Sequence, residues 1–196
     1  SDGVVSAVFE HRRGIGGMAH HAVDGMVVSG RNISFKPFAP GDTVLLLDRD
    51  EANSNVGYND ITTDGKGRIY AGSLGSSPVF DDGREPHAGD LYLIDLDGSA
   101  RVVAEDVLLT NGLGLSPDGR TLYHSDTGRQ TVFCYSVDSD GSLGEKRPFV
   151  SSDRGGPDGL VVSEDGAVWV ALVGGNGVGV YGADGSLREH IEIPLP

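Results

Sequence analysis

The chain has 196 residues, which suits one domain of ordinary size or a repeat array and is short for two domains. Its 29 acidic and 15 basic residues give a net charge of −14, which argues against nucleic acid or an anionic membrane as partner, since both need a basic face. The single cysteine, Cys134, rules out an internal disulfide, and no apolar run reaches membrane-spanning length, so the expectation is a soluble, cytoplasmic protein.

Taken in order, residues 4–9 read as a strand. Residues 14–18 then lead through His20 and His21 to an Asp24-Gly25 turn, residues 26–29 return, and residues 43–48 close a first unit. A polar stretch, 51–57, delivers the chain to a second unit with strands at 61–63, 68–73, 90–95 and 100–105 and a long loop at 75–88. The third unit opens at Asn111, before an apolar run at 113–115, and continues through 121–124, 131–137 and 146–150. The fourth runs from Leu160 through Trp169 and residues 178–181 to 190–193. The approximate units are 1–50, 51–106, 107–152 and 153–196.

Each unit shows about four short strands punctuated by Asp-Gly turns, and 31 glycines supply the tight turns. The outer turn glycines Gly98, Gly141 and Gly185 are 43 and 44 residues apart. A period in the forties with four strands per unit is the signature of β-propeller blades, and no segment has helical periodicity. In a propeller the first strand of each unit lines the central channel.

Three polar residues share one register of that repeat. Asn59, Asn111 and Asp158 each lie eight residues before a turn glycine, at Gly67, Gly119 and Gly166. The same count from Gly25 lands on Gly17, which has no polar side chain. Any one of the three alone reads as a turn former. Together, at the mouths of apolar strands, they converge on the channel and offer the oxygens of a hard-cation site for calcium, magnesium, manganese or zinc. Other motifs carry less. His124-Ser125-Asp126 contains triad residue types, but neighbours on a strand face opposite ways. The Gly-rich run 174–179 precedes no helix and reads as a hairpin rather than a phosphate loop. Tyr70, Tyr123 and Trp169, at near-equivalent positions, read as packing between blades, and Cys134 as a structural thiol.

The stretches NDITTDGKGRIYAGSLG (59–75), LTNGLGLSPDGRTLYHSD (109–126) and PDGLVVSEDGAVWVALVGG (157–175), with RRGIGGMAHHAVDGMVVSGR (12–31), resemble the SMP-30/gluconolactonase family of six-bladed β-propellers. The resemblance implies an all-β fold of that type with about four blades, two to five, present. It implies a divalent-metal-dependent lactonase that opens a sugar lactone. Asn111 matches the family's metal-binding Asn, and Asp158 its metal-binding Asp and proposed general base. Asn59 matches a substrate-contacting Asn, and Glu85 a substrate-contacting Glu on a loop over the channel mouth.

There are departures. The family's first-blade Glu ligand has no counterpart, Glu10 does not fit it, and Gly57 stands where the family has Arg. The chain reaches Pro196 where a sixth blade would begin. The corresponding expectation is a chain that self-associates through uncovered blade faces carrying Val27, Val168, Val170 and Val180, binds metal weakly and has little lactonase activity by itself. A non-catalytic propeller, acting as a calcium-binding or protein-interaction module, is the alternative.

Overall fold

The computed structural model describes residues 3, 5–10, 12, 14–77, 83 and 85–194. Short runs of β-branched and aromatic residues, broken by Asp-Gly turns, fold into four antiparallel sheets, each a four-stranded meander in sequence order. The first sheet holds β1 (Met18–His21), β2 (Gly25–Val28), β3 (Ile33–Pro37) and β4 (Val44–Leu47). The second holds β5 (Gly57–Thr63), β6 (Ile69–Leu74), β7 (Gly89–Ile94) and β8 (Ala100–Val107). The third comprises β9 (Thr110–Leu115), β10 (Thr121–Asp126), β11 (Thr131–Ser136) and β12 (Arg147–Ser151). The fourth comprises β13 (Gly156–Val162), β14 (Val168–Val173), β15 (Gly177–Tyr181) and β16 (Leu187–Glu192). A 3-10 turn at Thr127–Arg129 is the one helical element among the described residues.

These sheets are propeller blades packed face to face, and the core lies in the three seams between them. Val27, Ile33, Tyr58, Ile61 and Tyr92 fill the first seam. Tyr70, Leu91, Leu93, Leu113 and Leu122 fill the second, and Tyr123, Val132, Val168, Val170 and Tyr181 the third. The leading strands are neighbours, β1 against β5, β5 against β9 and β9 against β13, so they form the inner ring.

Two sequence expectations need correction in the first blade. Residue 4 lies outside the described residues, but 5–9 form no strand, and Val5 is 93% exposed. The strand that completes the blade is β3, whose Ile33 and Phe35 alternate with Ser34 and Lys36. A second correction concerns the outer faces of the terminal blades. Val27, Val168 and Val170, expected there, face the seams instead, whereas Val180, the cross-strand partner of Trp169, lies on the outer face as expected but is buried. Side chains alternate along a strand, and the face carrying Val168 and Val170 points into the third seam. The residues left exposed on the outward face are Val161, Trp169, Val173 and Ile191. Register pairs Val161 with Trp169, the position equivalent to Thr62 with Tyr70 and Gly114 with Tyr123. Tyr70 and Tyr123 each bury against the following blade, whereas Trp169 stays 36% exposed.

Candidate functional site

The three register-matched polar residues share a backbone device. In β5, Tyr58 pairs with Ser73 and Ile61 with Ala71, so Asn59 and Asp60 together oppose one residue. In β9, Asn111 and Gly112 sit between the Thr110–Asp126 and Leu113–His124 pairs in the same way. In β13, Asp158 and Gly159 do so between Pro157–Leu172 and Leu160–Val170. Each of these three inner strands thus carries a one-residue bulge at the same level, and a bulge re-aims the side chain it displaces. Strand β1 pairs regularly over Met18–His21 and has none.

Glycines let the inner strands close on one another at this level. A Cβ on Gly112 would stand 2.6 Å from the carbonyl oxygen of Asp158, and one on Gly17 would stand 2.6 Å from Asp60 Oδ1. The absence of a polar side chain at Gly17 follows: the neighbouring blade occupies that space.

The structure brings Asn59 and Asn111 into direct contact, with Asn59 Nδ2 donating to Asn111 Oδ1 at 2.7 Å and to Thr110 O at 2.8 Å. Ser29 Oγ donates to the Asn59 carbonyl, tying the first blade to the bulge. Asn111 Nδ2 donates to Thr127 Oγ1 at 2.8 Å, and Thr127 Oγ1 donates to Pro157 O at 2.6 Å. The chain of bonds therefore ends one residue before Asp158. The half-buried carboxylate of Asp158 makes no hydrogen bond or ion pair with the described residues, and the charge near it is another carboxylate, Asp60. Burial raises the Asp60 carboxyl above the ordinary range, and Asp158 adds to the rise, while backbone N–H groups of Ile61 and Leu113 oppose it.

Asp60 was not singled out from sequence as a site residue; its place beside Asn59 in the bulge is the signal that could have found it. Glu85 is exposed, and no contact joins it to Asn59, Asn111 or Asp158. Its loop includes residues 78–82 and 84, outside the described set. The departure at Gly57 has a steric cause. Its φ is +153°, and a Cβ would lie 2.5 Å from Gly30 O, so no Arg fits there.

Among the described residues, no group of three or more His, Cys, Asp or Glu surrounds a common point. The donors present are the Asn111 amide oxygen, which keeps one free lone pair, and the Asp158 carboxylate. A neutral oxygen and an unpaired carboxylate facing a second carboxylate fit a hard divalent cation completed by water.

The motifs set aside from sequence stay set aside. His124 Nε2 pairs with Thr110 Oγ1 at 2.8 Å, and Ser125 Oγ is buried without a partner, so no relay joins them. Asp126 instead caps the Thr127–Arg129 turn. Cys134 is half-buried in the third seam, and burial raises its thiol pKa, as for a structural cysteine. Residues 174–176 form the turn joining β14 to β15.

A family model described as SMP-30/Gluconolactonase/LRE-like region matches residues 2–196. A 6-deoxy-6-sulfogluconolactonase of Pseudomonas putida is 34% identical over 140 residues, covering 70% of this chain and 46% of that protein. A gluconolactonase of Xanthomonas campestris superposes with a TM-score of 0.77 at 30% identity, covering 92% of this chain and 62% of that one. A calcium-binding protein, regucalcin, of Agrobacterium tumefaciens shares the fold with a TM-score of 0.76 at 24% identity, covering 90% and 59%. The chain spans about half the length of the curated relatives it matches.

Proposed function

Because the chain belongs to the SMP-30/gluconolactonase/LRE-like family, we propose that its channel site serves the metal-assisted hydrolysis of a sugar lactone to the hydroxy acid. The observation that carries this reading is the bonded series from Asn59 through Asn111 and Thr127 to Pro157, beside an Asp158 carboxylate without a partner. The lactone-hydrolysing activities named for the relatives supply the substrate class.

Asn111 Oδ1 and Asp158 hold the divalent cation, and a calcium-binding relative makes calcium the first ion to test. When bound, the ion supplies Lewis acidity toward the lactone carbonyl. Asp158 takes a proton from the water that attacks the carbonyl carbon. The bond between that carbon and the ring oxygen then breaks, and the ring oxygen leaves as a hydroxyl carrying the proton from Asp158. Asn59 spends its Nδ2 on Thr110 O and Asn111 Oδ1, so its Oδ1 is left to accept from a sugar hydroxyl. Glu85 extends the substrate contacts from the loop above. A reducing, cytoplasmic setting suits the lone, half-buried Cys134. Among the described residues no helix is long and apolar enough to cross a membrane.

Calorimetry with calcium, manganese, magnesium and zinc, together with a panel of sugar lactones, tests this reading. Tight cation binding with no turnover of any lactone would select the non-catalytic module instead. Asn59→Ala is expected to raise KM several-fold and to weaken cation binding less than Asn111→Ala does, because it removes a substrate contact and a bond to a ligand but not the ligand itself. Equal loss of affinity in Asn59→Ala and Asn111→Ala would show that both hold the ion.

The outward face of the fourth blade associates with a second copy of this chain. Val161, Trp169, Val173 and Ile191 make it a contiguous apolar surface, and Trp169 occupies the register position that buries Tyr70 and Tyr123 elsewhere. Sedimentation velocity is expected to show concentration-dependent association that Trp169→Lys weakens. An identical profile for both proteins counts against this face.

A further inference from the structure

We infer that Thr127 is a positioning residue that fixes which atom of Asn111 faces the channel and ties Asn111 to the strand bearing Asp158. This inference rests on the site proposed above.

A carbonyl oxygen can only accept, so the 2.6 Å contact with Pro157 O uses the Thr127 hydroxyl proton. The same hydroxyl must then accept at its other short contact, 2.8 Å from Asn111, and only the Nδ2 end of the amide can donate there. The amide is oriented by bonding logic: nitrogen toward Thr127, oxygen toward Asn59 and the channel. The donated bond from Asn59 Nδ2 agrees with that orientation. With the amide reversed, Thr127 would face an acceptor on both sides with one proton to give.

Thr127 is itself held in place. Its backbone N–H donates to Leu109 O at 2.9 Å, and its carbonyl accepts from Gln130 at 3.1 Å. The buried Asp126 carboxylate before it gathers the backbone N–H groups of Leu108, Leu109 and Arg129, and the Arg129 guanidinium at 2.6 Å. Across the seam, Gly156 leaves room for the Thr127 methyl, since a Cβ there would stand 2.7 Å from Cγ2. One hydroxyl thus bridges β9 and β13, the strands that carry both proposed cation ligands.

Thr127→Val keeps the shape and removes the hydroxyl, and Thr127→Ser restores it. Loss of a partner that orients a metal ligand typically costs about 10–100-fold in affinity. The expected result is that Thr127→Val weakens calcium binding by calorimetry by about that factor, while Thr127→Ser stays within about 3-fold of the parent. The second readout needs no metal. Asn111 side-chain amide protons, followed by 15N NMR, should be protected from exchange in the parent and in Thr127→Ser and lose protection in Thr127→Val. Unchanged Asn111 amide signals in Thr127→Val would overturn the inference, as would unchanged calcium affinity in a parent that binds calcium. A parent chain that binds no cation defeats the site reading alone, and the amide signals then decide the role of Thr127.

Discussion

Asp158→Asn is expected to lower lactone turnover by about 10²–10⁴-fold, the usual consequence of losing a general base. The substitution keeps the size of the side chain and the β13 bulge, so the loss is chemical. It also removes a charged ligand, and divalent-cation affinity should fall with turnover. The fall has a second signature. Asp60 sits close enough to Asp158 for the two charges to repel, and neutralising Asp158 relieves that repulsion. The Asp60 carboxyl should therefore titrate lower in the variant than in the parent, which 13C NMR of side-chain carboxyls can follow. Parental turnover in Asp158→Asn would show that Asp158 only shapes the strand. An unmoved Asp60 titration would show that the two carboxylates are not coupled.

Acid should destabilise the fold through His124. Burial, reinforced by Lys146 and opposed by Asp126, lowers its imidazole pKa from 6.5 to about 4. Between those values the unfolded chain binds the proton and the folded chain does not. The contribution of His124 is complete above pH 6.5 and is lost as pH falls toward 4. The shift corresponds to about 3 kcal/mol at its full extent, a sizeable part of the stability of an ordinary domain. Urea unfolding of the parent at pH 7 and pH 5 should show a clear drop, and His124→Gln should flatten that difference. A parent midpoint that does not move over this window would mean that His124 is protonated without cost. The same group is why acid would reach the channel. His124 holds Thr110 Oγ1, and the Thr110 carbonyl accepts from Asn59.

The sequence by itself determined the blades and the ring of polar residues. Asp-Gly turns at a period in the forties fix where strands reverse, and strands that alternate over four to eight residues can bury only by stacking face to face. The common offset of Asn59, Asn111 and Asp158 from turn glycines marked one level of the inner ring, because the hairpin register transmits a fixed count from turn to strand start. Residues 5–9 misled because apolar alternation marks a strand only where a neighbouring strand exists to receive its hydrogen bonds.

Tertiary structure decided the rest. Which face of β14 is buried depends on which side the third blade lies, so Trp169 rather than Val168 or Val170 faces outward. The bulges that aim the site residues arise from pairing between strands, and no single-strand pattern records them. Asp60, Thr127 and Gly57 acquire their meaning from atoms on other blades: Asp158 two blades on, and Pro157 O and Gly30 O on the neighbouring ones. A repeat fixes the position of a residue within its own blade. Hydrogen bonding and electrostatics act through space over a few ångströms, and in a propeller those ångströms cross from one blade to the next.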